Sequence, residues 1–497
     1  MPQFCVVTFG CQMNAHDSSR MEEVLIKSGY RATLEVEQAD VVVLNTCSIR
    51  EKAEQKLRSE VGRLGLVKRR KPELVICVAG CVAQQEGDRL IKSLPQIDLV
   101  IGPDNIPELP ALLANIETGG LPQVRTVFDV ETPAFLAAEP SLGPSLASAY
   151  VTVMKGCNER CSYCIVPHTR GPERYRASGE IVAEIKRFVA TGVREITLLG
   201  QTVNSYRDPS SALEVAPGVG STQFTHTRFP VAAEDESEFA ALLRAIAEQV
   251  PDLMRLRYTS PHPRHLTPSL ILAHQELPVL CRHVHMPVQS GSDRVLRRMI
   301  RRYTSAEFIE RTAALKEAVP GLTLSSDMIV GFPGETAEDF EASLELVRTV
   351  GFVSLFGFTY SQRPFTPALK LEDDVVDEVK SARLARLFDV VDGNKERHLR
   401  SLVGSESQVL VDGPSKAGNL SGRTQRNEIV HLSAKDAELP GCGVGAVVQV
   451  QIEQAFKNSL AARLTRIVVP ARSTIERPLT VQSTPQAAPQ RRQLQVI

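Results

Sequence analysis

The chain has 497 residues, 43% hydrophobic and 23% charged, with a net charge of −1. That length is too great for one ordinary core and predicts about two to four domains of a globular protein. No apolar run approaches the roughly 20 residues of a membrane span, and the start MPQFCVVTFGCQMN lacks the basic and long apolar regions of a secretion signal. A cytoplasmic chain with no membrane attachment is therefore expected. The near-neutral charge leaves nucleic-acid binding open, because local patches decide it. Ten cysteines in such a chain point to metal or redox use, not to a disulfide framework.

Residues 1–120 alternate strand and helix patterns. Apolar runs at Gln3–Phe9, Asp40–Leu44, Glu73–Val78 and Ile97–Ile101 predict strands, with helices near His16–Ser28, Arg50–Val67 and Ala83–Leu94. A βαβα series implies a parallel sheet. Cys11, Cys47 and Cys81 each closely follow a strand. Loops at one edge of a parallel sheet lie side by side, so these three thiols are expected to share a site. Cys5 and Cys77 fall inside strands and read as core. Residues 121–148, rich in Pro, Gly and Ser, read as a linker.

The next segment, YVTVMKGCNERCSYCIVPHTRG at 150–171, runs from a strand into a loop carrying Cys157, Cys161 and Cys164, spaced C-x3-C-x2-C. Thiolates suit iron–sulfur clusters and zinc. Three cysteines on a four-iron cube leave one iron open to chelate S-adenosylmethionine. His168 supplies a fourth ligand for the alternative, structural zinc in a non-catalytic RNA-binding protein. Tyr163, beside the last cysteine, is placed to lie against an adenine.

From 149 to about 375 six βα units follow, predicting an open, partial (β/α)6 barrel with its chemistry at the C-terminal strand ends. Turns after those strands hold Gly200, Gln201, Ser260, Gln289 and Gly331. His262, His265, His283 and His285 read as satisfied interior histidines. The stretch SDRVLRRMIRRYT at 292–304 predicts a helix with an arginine ridge, in which Arg297 and Arg301 are candidate phosphate contacts. Residues 207–238 form an insertion too long for an ordinary βα loop. After 376 a basic amphipathic helix leads to short strands, predicting a small antiparallel β-barrel of a kind that binds RNA. The tail from 471 to 497 reads as disordered.

Three groups of motifs carry a resemblance. C-x3-C-x-Tyr-Cys after a strand is similar to the signature of the radical S-adenosylmethionine (SAM) superfamily. TFGCQMNAHDS, NTCSIREKAEQK and the AGC of Cys81 resemble the N-terminal domain of the methylthiotransferases. GRTQRNEIV and FKNSLAARL resemble the TRAM module. Within the family, GCQMN, NTCSIREKAEQK and HMPVQSGSDRVLRRM resemble the MiaB-type enzymes. RGPERYRAS departs from the family's usual RG-x-E-x-SRP.

The resemblance implies two [4Fe–4S] clusters: a radical-SAM cluster on Cys157, Cys161 and Cys164, and an auxiliary one on Cys11, Cys47 and Cys81. It implies that Tyr163, Gly200, Gln201, Ser260, Gln289 and Gly331 surround S-adenosylmethionine, and that Arg423, Asn427 and Lys457 contact RNA. The implied reaction is methylthiolation at C2 of N6-isopentenyladenosine-37 in tRNA. A 5′-deoxyadenosyl radical removes the C2 hydrogen, and a second S-adenosylmethionine supplies the methyl group. A monomer is expected, with the tRNA anticodon loop, an external electron donor and a sulfur source as partners. The alternative acceptors are a threonylcarbamoyl-adenosine tRNA and a ribosomal protein.

Overall fold

The structure is a computed structural model that describes residues 1–48, 51–130, 133–138, 147–210, 237–414 and 418–471. Most of the 207–238 insertion, the tail beyond 471 and parts of the 121–148 stretch lie outside the described residues.

The N-terminal unit runs β1 (Gln3–Phe9), α1 (Gln12–Lys27), β2 (Arg31–Ala32), β3 (Val41–Thr46), α2 (Glu51–Lys68), β4 (Val75–Gly80), α3 (Cys81–Glu86), α4 (Asp88–Ser93), β5 (Leu99–Ile101), α5 (Leu109–Glu117) and β6 (Gln123–Arg125). Its six strands pair in the order β2-β1-β3-β4-β5-β6, all parallel. Every residue of β3 and β4 is buried, as a parallel sheet covered on both faces requires. Cys5 and Cys77 lie in the apolar layers on the two sides of this sheet. The helix expected at Ala83–Leu94 is two short ones, because Gly87 takes φ +49° between them. The stretch expected as a linker opens with β6, whose Val124 packs on the core beside β5 while its polar neighbours face out. A three-residue edge strand among prolines and glycines has too little alternation to stand out in the sequence.

The central unit runs β7 (Ser148–Thr152), β8 (Met154–Lys155), α6 (Val166–Arg170), β9 (Arg174–Tyr175), α7 (Ser178–Ala190), β10 (Glu195–Leu199), α8 (Glu238–Gln249), β11 (Arg255–Tyr258), α9 (Pro268–Glu276), β12 (His283–His285), α10 (Asp293–Arg298), α11 (Ser305–Ala318), β13 (Thr323–Val330), α12 (Ala337–Val350) and β14 (Ser354–Thr359). Two parallel sheets, β11-β10-β7 and β12-β13-β14, are joined where Leu256 of β11 bridges Leu280. The result is a six-stranded open barrel around the largest apolar core. The helix expected over 292–304 stops at Arg298: Ile300 and Arg302 take φ +57° and +59°, which turns the chain back on itself.

The last unit is α13 (Asp377–Ser401), β15 (Glu406–Pro414), β16 (Leu420–Thr424), β17 (Ile429–Leu432), α14 (Ala434–Ala437), β18 (Val447–Ala455) and β19 (Leu460–Val469). The five strands close in the order β15-β16-β17-β19-β18, antiparallel except for β17–β19, which pair in parallel. The turn between β16 and β17 seats on the barrel. Arg255 donates to the Arg423 carbonyl at 2.7 Å, Arg257 to those of Thr424 (2.9 Å) and Gln425 (3.1 Å), and Thr323 to that of Arg426 at 3.1 Å. Arg255 and Thr323 open β11 and β13, so this contact lies at the N-terminal ends of the barrel strands. Among the described residues no helix is long and apolar enough to cross a membrane.

Candidate functional site

The first cysteine trio is assembled by sheet register. Phe9 pairs with Thr46, and Thr46 with Gly80, so β1, β3 and β4 end side by side. With strands about 4.8 Å apart, a cysteine just past each end is brought to one place. Cys11 caps the N-terminus of α1, Cys47 follows β3, and Cys81 opens α3. Polar side chains lock the three junctions. Asn14 donates to Asn45 Oδ1 and to the Thr46 carbonyl, both at 3.1 Å. Asn45 donates to the Asn14 carbonyl (2.8 Å) and Ser18 Oγ (2.9 Å), and Thr46 Oγ1 to the Ala79 carbonyl (3.1 Å). Gly80 sits at φ +92°, where a Cβ would lie 2.3 Å from Asn45 Oδ1. A hydrogen bond to Cys47, opposed by burial and assisted by backbone N–H groups of α1, brings the Cys11 thiol down to about 6. Burial raises Cys81, against the charge of Arg170.

The second trio is held in one loop after β8. Gly156 and Gly171, at φ +80° and +72°, pinch its base, and Cys157 N–H donates to the Gly171 carbonyl at 3.1 Å. The Gly156 N–H donates to Gln201 Oε1. Ser162 ties the loop to the end of α10, its N–H to the Met299 carbonyl (3.0 Å) and its hydroxyl to that of Arg298 (2.8 Å). Thr202 Oγ1 is 3.0 Å from Cys157 Sγ. Burial pushes Cys157 up to about 12 and raises Cys164, whose neighbours Cys161 and Cys157 add to the effect. Thiols this costly to ionise await a metal that displaces their protons.

Among the described residues, the ligand atoms of only one His/Cys/Asp/Glu trio lie mutually within 4.8 Å, and it is Glu159, His262 and His265. His168, the fourth ligand of the zinc alternative, is exposed on α6 with its ring 5.7 Å from that of Phe365. The Glu159 group is itself no cation site. Arg264 N–H donates to His262 Nδ1 at 3.2 Å, so His262 Nε2 carries the proton, and Arg264 and Arg302 each approach Glu159 to 3.9 Å. His265 donates to Glu159 at 3.2 Å, and this charge cluster around the buried Glu159 braces the loop between Cys157 and Cys161.

The expected S-adenosylmethionine residues share the C-terminal edge of the barrel. Ser260 and Gln289 follow β11 and β12 with φ +58° and +73°, strained for residues with a Cβ and typical of functional turns. Gly200 and Gln201 follow β10; a Cβ on Gly200 would meet Met154 at 2.6 Å. Gly331, at φ +68°, follows β13, donates its N–H to Glu335 at 3.1 Å and packs on Lys380. Tyr163 meets the Phe332 ring edge-on at 6.5 Å, in a small apolar cluster with Tyr360.

The RNA candidates divide. Arg297 is exposed on α10, and Lys457 is exposed with Asp392 3.3 Å away. Arg423 instead bonds Asn427 (3.1 Å) and Asp412 (3.4 Å), in the turn docked at the N-terminal strand ends. The eight-residue β13 separates that turn from the cysteine edge by roughly 20 Å or more. Arg301 is not on a surface ridge at all. It is buried, donating to Cys161 Sγ at 3.3 Å, to Tyr303 Oη at 3.1 Å and to the Pro287 carbonyl at 3.0 Å. The reversal at Ile300 turns it inward.

One residue without a sequence signal joins the two trios. Arg170, on α6 just past the second trio, donates to Cys81 Sγ at 3.3 Å and to Asp17 of α1 at 2.6 Å. Burial opposes ionisation of Asp17, but the Arg170 charge prevails and holds its carboxyl at about 2. Thr152 of β7 lies 3.3 Å from the His16 ring, and Lys155 (3.3 Å) and Arg174 pair with Asp104. These buried contacts set the N-terminal sheet against the barrel with both cysteine sites at the junction.

Comparison with known proteins agrees with this architecture. Residues 3–102 match the uncharacterized protein family UPF0004, 151–347 the radical SAM superfamily and 400–465 the TRAM domain. A radical S-adenosylmethionine methyltransferase from Kitasatospora setae, solved with cobalamin and a [4Fe-4S] cluster, shares the fold at a TM-score of 0.51 and 15% identity, over 74% of this chain and 77% of that one. Proteins named tRNA-2-methylthio-N(6)-dimethylallyladenosine synthase are 62% identical in Sorangium cellulosum (94% of each chain) and 43% in Geobacter sulfurreducens (92% of this chain, 96% of that one). With that identity across all three units, the chain belongs to the tRNA-2-methylthio-N(6)-dimethylallyladenosine synthase family of radical SAM enzymes.

Proposed function

We propose that the chain methylthiolates C2 of N6-isopentenyladenosine at position 37 of tRNA. Cys157, Cys161 and Cys164 would hold the radical-SAM cluster, and Cys11, Cys47 and Cys81 an auxiliary [4Fe–4S] cluster. The observation that carries this reading is the pair of thiol trios at one domain junction, braced by Arg170. Both donor sets fit iron–sulfur chemistry, being all-thiol and each touched by a buried arginine. When bound, the clusters supply the electron for S-adenosylmethionine cleavage at the loop and an iron that carries the incoming sulfur at the strand ends.

The chain's own residues do the rest. Gly156, Gly171, Gln201 and Ser162 fix the loop, and Thr202 holds Cys157. Ser260, Gln289, Gly200, Gln201 and Gly331 line the edge where S-adenosylmethionine would lie, with Tyr163 beside its adenine. An aromatic C2–H has no proton acidic enough for an ordinary base, which makes radical abstraction the fitting chemistry. The base must leave the anticodon loop to reach the junction, as single-stranded recognition allows. Arg297 and Lys457 are the exposed RNA contacts, and the TRAM barrel adds its outer surface. An external electron donor and a sulfur source complete the system, in the cytoplasm, with the enzyme as a monomer.

Nucleoside mass spectrometry of tRNA from a deletion strain tests the assignment. The methylthio-isopentenyl nucleoside should vanish and its isopentenyl precursor accumulate. An unchanged level overturns the proposal, and loss of a methylthio-threonylcarbamoyl nucleoside instead would reassign the acceptor. Anaerobically purified protein should be brown with about eight irons, whereas a single zinc without colour would restore the scaffold reading.

A further inference from the structure

Each cysteine trio receives one buried arginine at the same distance, but the two arginines differ in what balances their charge. Arg170, 3.3 Å from Cys81, is paired with Asp17 at 2.6 Å, and both side chains are buried. Arg301, 3.3 Å from Cys161, has for its other partners only the Tyr303 hydroxyl and the Pro287 carbonyl. Among the described residues no carboxylate pairs with it. A buried guanidinium without a carboxylate partner is costly, and the negative charge it faces is the one Cys161 would carry as a cluster ligand. The backbone supports a specific purpose. Ile300 and Arg302, on either side of Arg301, both take positive φ, and a β-branched residue in that region is a genuine outlier that persists only where the surroundings impose it.

We infer that Arg301 is a positioning residue of the radical site: it clamps Cys161 and adds a positive charge that no carboxylate offsets, which raises the potential at which that site accepts an electron. The strand-end site has no such increment, because Asp17 cancels the charge of Arg170. Hydrogen bonds to cluster sulfurs and net local charge are the levers by which a protein sets such potentials. The inference rests on the iron–sulfur assignment above.

The test is an EPR-monitored redox titration of reconstituted, full-length enzyme with an iron count. Added S-adenosylmethionine marks the radical site by perturbing its signal alone. Arg301→Gln should move the radical-site potential to a more negative value and leave the strand-end site unmoved, while Arg301→Lys stays near wild type. Asp17→Asn, which uncovers the Arg170 charge, should move the strand-end site alone to a more positive value. Full iron with an unmoved radical-site potential in Arg301→Gln overturns the inference and leaves the function standing. Wild-type enzyme that takes up no iron removes the assignment on which both depend. If Arg301→Gln loses radical-site iron, Arg301→Lys decides: retention of iron and potential supports a charge role, and loss from both variants marks plain packing and overturns it.

Discussion

The strand-end site gathers Cys11, Cys47 and Cys81 from three separate βα junctions, whereas the loop site takes Cys157, Cys161 and Cys164 from one turn. In the first, the register of β1, β3 and β4 creates the site, and the Asn14–Asn45–Ser18 network makes the junctions one unit. In the second, spacing creates the site, and two glycines, Gln201 and Ser162 only hold it in place. A dispersed site should therefore fail when the sheet is disturbed, and a local one only when its own loop is. The sites also belong to separate donor sets, so each should be separable from the other.

The largest effect tests that separation. Cys157→Ala should abolish 5′-deoxyadenosine formation altogether. Cys47→Ala should leave S-adenosylmethionine cleavage running without sulfur insertion. Each variant should keep about half of the iron, one four-iron cluster of two. Methylthiolated product from either reconstituted variant breaks the comparison, because it would mean that the sites substitute for one another.

Glycine substitutions sharpen it. A Cβ at Gly80 would meet Asn45 Oδ1 at 2.3 Å and the Thr46 carbonyl at 2.5 Å, from a backbone at φ +92°. Because Asn45 is bonded to α1, the displacement spreads to all three junctions. Gly80→Ala should cost about 2–4 kcal/mol and empty the strand-end site while the loop site keeps its iron. Gly156→Ala, where the Cβ would meet the Pro172 carbonyl at 1.9 Å, should empty the loop site alone. Chemical denaturation with iron counts on both variants checks this; loss of both clusters from either one would show that the sites fold as a unit.

The same contrast explains which features are legible in the sequence. The loop trio was legible from spacing, and the strand-end trio from topology, since apolar runs followed by a cysteine imply parallel strand ends at one edge. The polar brace was not. Asn14, Asp17 and Ser18 look like ordinary helix residues until β3 is placed beside them. Arg301 illustrates the limit most clearly. Five arginines in a periodic stretch read as an exposed ridge, yet α10 ends at Arg298 and a left-handed Ile300 swings Arg301 inside. Periodicity reports which face a side chain shares only while the helix continues. Arg423 and Asn427 resembled RNA contacts because local sequence cannot reveal that their turn docks on the N-terminal ends of barrel strands. The strand β6 escaped because three residues at a sheet edge carry too little pattern.

The smallest difference between the sites lies in their metal-free thiols. Cys11 is partly exposed at the N-terminus of α1 and, chiefly through its bond with Cys47, held at about 6. Cys157 is buried and pushed up to about 12 by desolvation. At pH 7 about nine-tenths of Cys11 would be thiolate and almost none of Cys157, and the thiolate is the form that alkylates. Iodoacetamide treatment of iron-free protein, read by peptide mass spectrometry, should label Cys11 more than tenfold faster than Cys157. Lowering the pH from 7 to 5 should slow Cys11 roughly tenfold, because its thiolate fraction falls through a midpoint near 6. In Cys47→Ala that midpoint should rise toward the ordinary thiol value and the labelling advantage shrink. Equal rates at the two cysteines, or a Cys11 rate indifferent to Cys47, would show that the strand-end thiols do not meet before metal arrives and that the cluster itself, not the register of β1, β3 and β4, draws them together.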